Sequence, residues 1–373
     1  MIYCFREVKK MFDDMVKLFN LGAFSDEEKK LLRTDFTYKQ QMSRLLKAAR
    51  QAAKRDTCYF CGKSVTSFCN SHSVPRFCLE NIATNGYVLT LNTVVDNPLM
   101  DTENGVNKAG TFHLICNDCD SKIFSDYENP DNYSNQPTPK MIAQMALKNT
   151  LKSISKRLTE IELFNISAQK IDAARMFSEA KNTVNEMDLK EYEDSYQKAK
   201  KALKKDSSTD YYVCYYEKLN YVVPIAFQSA IALTVDFNGN IINNIYNPSP
   251  EYRIQYLHIS ILPLKLETVI VMFIEDGDKR YRQFYKQFNK LTLEDKLAAL
   301  TLIMFMYSED MYFSKSIENE VRESKILCEA GKTGQDIFSL TPFFDPVKIL
   351  RESHSLDKRH EIPNLLSEKY KLA

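Results

Sequence analysis

Four cysteines fall in two pairs, Cys58-x-x-Cys61 followed by Gly62, and Cys116-x-x-Cys119. Two thiolates two residues apart bite one tetrahedral ion, and a glycine after them permits the left-handed turn that the bite needs. Together the pairs predict a four-cysteine Zn²⁺ site. Other ligand sets compete: Cys69-x-x-His72 also has ligand spacing, which offers Cys58, Cys61, Cys69 and His72, and His113 stands close enough to Cys116 to join. Four cysteines would close the ion off, which makes it structural and leaves His72 free for other chemistry. In that case Cys69 and Cys78 become small core residues; Cys4, Cys214 and Cys328 are isolated and read as packing residues.

The elements that must position these residues read as follows. A helical pattern covers residues 5 to about 55, with Ser25 as a helix N-cap in "SDEEKKLL". In "KQQMSRLLKAARQAAKR", Met42, Leu45, Leu46, Ala49 and Ala53 share one face, and Arg44, Lys47, Arg50 and Lys54 the other. The cysteine region spans about 56–135 and contains a strand or hairpin, with a turn at Asn85-Gly86. A second helical block, about 139–205, carries Lys148, Lys152 and Lys156 at four-residue spacing. From about 209 come strands, with a turn at Asn238-Gly239-Asn240, and then helices at about 278–290, 292–308 and 313–330. Strands first and helices afterwards predict an antiparallel α+β domain. The expected fold class is therefore α+β, with units at 1–55 (helical), 56–135 (zinc module), 136–208 (helical linker) and 209–373 (C-terminal domain).

Bulk composition narrows the function classes. With 373 residues, 44% hydrophobic and 27% charged, the chain has material for two to three domains. Its 50 basic and 49 acidic residues nearly cancel, so global charge selects no nucleic-acid or membrane partner, and any such partner must be met by a local patch. No apolar stretch approaches the roughly 20 residues that span a bilayer, and the start lacks a signal-peptide core. A cytoplasmic protein is expected, where C-x-x-C pairs bind metal before they form disulfides.

At "CYFCGKSVTSFCNSHSVPRF" and "LICNDCDSKIFSDYE" the sequence resembles the HNH, or ββα-metal, endonuclease family, over residues 56–130 only. The resemblance implies a ββα-metal, treble-clef-like module in which one cysteine pair precedes an "(D/S)H-x-x-P" strand end and the other opens the following helix. By position His72 matches the family's general base and Pro75 the proline after it. Asp120 stands where a metal-binding His or Asn is usual, and Glu128, two helical turns on, can share its face. These residues would hold Mg²⁺ or Mn²⁺. The sequence departs from the family at Ser71, where many members have a metal-ligating Asp, at Thr111, where they have Asn, and in lacking the final His.

The implied activity is metal-dependent hydrolysis of DNA phosphodiester bonds, in restriction or phage defence, with zinc structural. Arg44, Lys47, Arg50, Lys54, Lys148, Lys152 and Lys156 flank the module and are the expected phosphate contacts. The C-terminal domain is the expected surface for a protein partner or a second copy. The rival expectation is a zinc-binding nucleic-acid or protein interaction or sensor module without catalysis, motivated by the same three departures.

Overall fold

Period-2 alternation of large apolar residues organises the molecule. In "TVIVMFIE", Val269, Val271 and Phe273 enter one core, while Ile270, Met272 and Ile274 enter another on the opposite face. A strand buried on both faces must be central and covered on each side.

The computed structural model describes residues 36–91, 102–170, 172–204, 210–247, 249, 251–322, 324–333 and 345–372. The expectations for Ser25, Cys4 and the segment before residue 36 lie outside them. Helix α1 is Phe36–Ala52, and strand β1, Ser71–His72, is followed by α2, Arg76–Ile82. The hairpin β2 (Tyr87–Thr90) and β3 (Thr102–Gly105) leads to β4 (Thr111–Phe112) and α3 (Asn117–Ile123). Two long helices follow, α4 (Pro139–Lys170) and α5 (Asp172–Ala202). Arg157 pairs with Asp188 and Asn165 with Asn182, so α5 folds back along α4 as an antiparallel pair. Strands β5 (Tyr211–Leu219), β6 (Ile225–Ile231), β7 (Leu257–Pro263) and β8 (Thr268–Glu275) precede α6 (Arg282–Asn289), α7 (Leu293–Tyr307) and β9 (Met311–Phe313). Helices α8 (Asn319–Arg322), α9 (Lys325–Thr333) and α10 (Pro346–Ser353) come last.

The chain is α+β, and its main sheet is antiparallel, in the order β3-β2-β9-β6-β7-β8-β5. One face packs on α6 and α7, the other on α4 and the cysteine region. Helix α7 lies in a fully apolar setting: residues 297–306 are all buried. Burial on every side is a buried-helix signature rather than an amphipathic one. No helix among the described residues is long and apolar enough to cross a membrane.

Two expectations are corrected. The turn at Asn85-Gly86 is present, closed by the single bridge between Thr84 and Tyr87 and opening β2, with both residues at positive φ (53° and 77°), as a two-residue turn of this kind requires. That strand does not stay within the cysteine module, however: β2 pairs with β9, Leu89 opposite Phe313 and Thr90 opposite Tyr312, and so extends the C-terminal sheet. The expected boundary near 135 therefore runs through one continuous sheet. The helix expected over 313–330 begins later, because Met311–Phe313 is the strand that joins β2 to β6.

Two histidines sit in this interior. His258 on β7 stacks on Phe273 with ring centroids 4.5 Å apart and accepts from Asn149 Nδ2 at 3.1 Å. His354 follows α10, bonded to Ser353 Oγ at 2.8 Å. Burial pushes both imidazoles down to about 4. Both are neutral in folded and unfolded chains above pH 6.5; below it only the unfolded chain takes up protons. Stability is thus lost as pH falls from 6.5 toward 4, by roughly 3 kcal/mol per histidine at about 1.4 kcal/mol per pH unit. In denaturant titrations across this range, His258→Asn is expected to flatten the loss by about half.

Candidate metal centre and a buried lysine beside it

Cys58 and Cys61 lie in a tight knuckle. The Gly62 N–H donates to the Cys58 carbonyl at 2.8 Å and the Cys58 N–H to that of Lys63 at 2.9 Å, with Gly62 at φ +70°. Cys116 caps α3 and Cys119 lies in its first turn, so the second pair sits at a helix N-terminus, where anionic ligands are favoured. The Cys116 N–H reaches Cys58 Sγ at 3.3 Å, and the four sulfurs lie within 4.8 Å of one another. Burial raises the Cys58 thiol, but the N–H groups of Cys61, Cys116 and Phe60 outweigh it and bring it down to about 7. Cys119 is pushed up by burial and by the other three cysteines. Four sulfurs this close cannot all ionise alone; a cation among them resolves the conflict. The donor set therefore fits a metal ion. Cys69, His72 and His113 are not in the cluster, which decides among the ligand sets left open by spacing. Cys69 Sγ instead donates to Asp120 Oδ2 at 3.4 Å, and burial and that carboxylate push its thiol up to about 12. His113 Nε2 meets Asn70 Oδ1 at 2.6 Å on the exposed side.

His72 lies beside this centre. Strand β1 pairs with β4, Ser71 opposite Phe112 and His72 opposite Thr111, and the chain then enters α3. Next to it Ser73 Oγ bonds Tyr312 Oη at 3.0 Å, which anchors β1 to β9. The approach is close enough that a side chain at Gly110 would run into that tyrosine. His72 Nε2 lies 2.9 Å from the Val106 carbonyl. A carbonyl only accepts, so Nε2 carries the proton and Nδ1 keeps the lone pair. Burial, then the charges of Lys148 and Arg76, hold the imidazole below its ordinary value, so it is neutral near pH 7.

Asp120 and Glu128 are brought together as expected. The helix ends at Ile123, but Phe124 N–H donates to the Asp120 carbonyl at 3.2 Å and Glu128 N–H to that of Phe124 at 3.0 Å, so two further turns carry Glu128 to the same side. Between them lies no vacancy for a metal but the ammonium of Lys148. Its Nζ is 3.0 Å from Asp120 Oδ1, 2.9 Å from Glu128 Oε1 and 2.8 Å from Ser71 Oγ, and 3.6 Å above the Phe124 ring. The Ser71 hydroxyl in turn donates to Asp120 Oδ1 at 2.5 Å. Burial would raise the Asp120 carboxyl, but Lys148, Ser71 and Cys69 outweigh it and hold it low; burial of Glu128 wins over Lys148 and raises it. The four cysteines are the only group of three or more potential ligands clustered this closely among the described residues. The residues at Asp120 thus do not fit Mg²⁺ or Mn²⁺, which need about six oxygens in a tight shell.

The expectation for Lys148 is corrected accordingly. Lys148 is 0% exposed and offers nothing to a phosphate. Lys152 pairs with Asp310 at 3.3 Å and Lys156 with Glu309 at 3.1 Å. Arg44, Lys47, Arg50 and Lys54 are exposed, while Leu45 and Ala49 of the same helix are buried. The charges of Arg50 and Lys54 act on His113, which brings the basic face of α1 beside the module. A signal for Lys148 was present in the sequence: Met141, Met145 and Leu151, one or two turns away on its face, are all apolar and buried.

Comparison with protein-family models, curated proteins and solved structures finds no match for this chain.

Removing the Lys148 charge leaves two enclosed carboxylates without a counter-ion. Lys148→Met keeps the stem packing and is expected to cost about 3–5 kcal/mol in denaturant unfolding. By contrast, Lys156→Met at an exposed pair should cost no more than about 1 kcal/mol.

Proposed function

We propose that the chain hydrolyses phosphodiester bonds of DNA, with His72 as general base on a scaffold held by zinc at Cys58, Cys61, Cys116 and Cys119. The observation that carries this reading is the Val106 carbonyl at His72 Nε2, which leaves Nδ1 as a neutral base. In the proposed reaction Nδ1 takes the proton from water as its oxygen bonds to phosphorus, the ester bond from phosphorus to one deoxyribose oxygen breaks, and that oxygen leaves and is protonated from solvent. Negative charge then grows on the phosphate oxygens and requires a cation nearby. Arg76 and Lys108 are the cations proposed for that need: with Tyr87 and with Val106, whose carbonyl meets His72, they line a cavity of about 510 Å³. Arg76 pairs with exposed Glu80 at 2.9 Å, a surface pair that exchanges readily. The exposed row Arg44, Lys47, Arg50 and Lys54 suits phosphate contacts that carry no sequence information. Zinc suits the four thiolates by softness and number, and its closed shell keeps it out of the chemistry.

One observation favours a second reading, a zinc-stabilised DNA-binding module that does not cut. Asp120 and Glu128, the carboxylates of the resembled family site, are both spent on Lys148.

Zinc-loaded protein incubated with plasmid DNA separates the two. Cleavage that falls by about 10²–10⁴-fold in His72→Ala, the range of a lost general base, supports hydrolysis. DNA binding with no cleavage, or equal cleavage by the variant, overturns it. Elemental analysis should find one zinc per chain, lost in Cys116→Ser.

A further inference from the structure

We infer that Lys148 is a resident cation: its ammonium stands between Ser71, Asp120 and Glu128 in the role that a divalent metal would otherwise fill, and the centre takes up no such metal. The inference concerns the same site as the proposed hydrolysis but rests on side-chain geometry, independently of whether DNA is cut.

Donor counting makes the first argument. An ammonium has three N–H groups and a neutral amine two. Lys148 Nζ meets three oxygens, at 2.8, 2.9 and 3.0 Å, so every hydrogen has an acceptor and the group is charged. The Phe124 ring face at 3.6 Å covers a fourth side with its negative quadrupole.

Competition for ligands makes the second. Asp120 Oδ1 already receives the Ser71 hydroxyl and Lys148, and Oδ2 receives Cys69 Sγ. Glu128 contributes Oε1 to the same ammonium. A divalent ion would have to displace Lys148, whose side chain is 0% exposed. A buried ammonium expelled from its partners meets a large desolvation penalty, whereas a fixed one needs no loading.

Origin makes the third. The oxygens come from β1, from α3 and from the turns after α3, while the cation comes from α4, which packs against the main sheet. A metal would tie the module only to itself; Lys148 ties it to the rest of the chain.

Mn²⁺ titration of the zinc-loaded protein, followed by the electron paramagnetic resonance of free Mn²⁺, tests this directly. Wild type is expected to show no saturable Mn²⁺ site sensitive to Glu128→Gln. Lys148→Ala, which vacates the space between the two carboxylates, is expected to bind Mn²⁺ about tenfold tighter or more than wild type. A wild-type Mn²⁺ site abolished by Glu128→Gln overturns the inference, as does a folded Lys148→Ala chain that gains no affinity. Should that variant not fold, the wild-type titration decides. Plasmid cleavage is not part of the readout, so loss of the hydrolysis reading leaves this one standing, and the reverse.

Discussion

One ammonium group holds the site together. Lys148 is enclosed, and an enclosed charge is tolerated only when opposite charge and hydrogen-bond acceptors replace the water it has lost. Ser71, Asp120 and Glu128 supply that replacement, and each comes from a different stretch of the chain. Their positions are therefore mutually dependent: the β1 strand end, the first turn of α3, the turns beyond it and the middle of α4 must all be in place at once. The same strand end carries His72, so the orientation of the candidate base follows from where the lysine sits.

Charge is distributed across the cysteine region on one principle, that clustered anions need a cation among them. At one end four sulfurs lie close together, with Cys58 pulled down and Cys119 pushed up, and a metal ion would answer that clustering. At the other end two carboxylates are answered by a side chain of the protein. The two regimes meet in sequence, since Cys119 and Asp120 are neighbours on α3. The two ends nevertheless differ in chemistry: soft thiolates favour zinc, while the oxygen set is already engaged by Lys148.

Beyond Lys148 the polar contacts continue into the main sheet. Asn149, the next residue on α4, accepts from Gln228 at 3.1 Å and donates to His258, which places a buried amide-imidazole chain between the helix and strands β6 and β7. Gln144, one turn earlier, holds the Tyr127 N–H at 3.0 Å and the Ile123 carbonyl at 2.6 Å. Helix α4 thus works on two sides, apolar toward the core and polar at the points where the cysteine region docks. Together with the β2–β9 pairing, this joins what composition had divided into a module and a C-terminal domain.

Local signals account for what could be read from the residues in order. The two cysteine pairs, the Asn85-Gly86 turn, the antiparallel α+β class and the common side of Asp120 and Glu128 all follow from spacing or turn chemistry over a few residues. The exposed basic face of α1 follows from helical period in the same way. Folding settled what depends on contacts between distant residues. Lys148 reads as a surface lysine because Lys152 and Lys156 repeat it at helical spacing, yet its environment is set by Ser71 and Asp120, 77 and 28 residues away. The place of β2 in the main sheet is likewise decided by β9, more than two hundred residues on, because a strand edge takes whichever partner the completed core presents. Periodicity records which side of a helix is apolar; it does not record which charge waits on the other side.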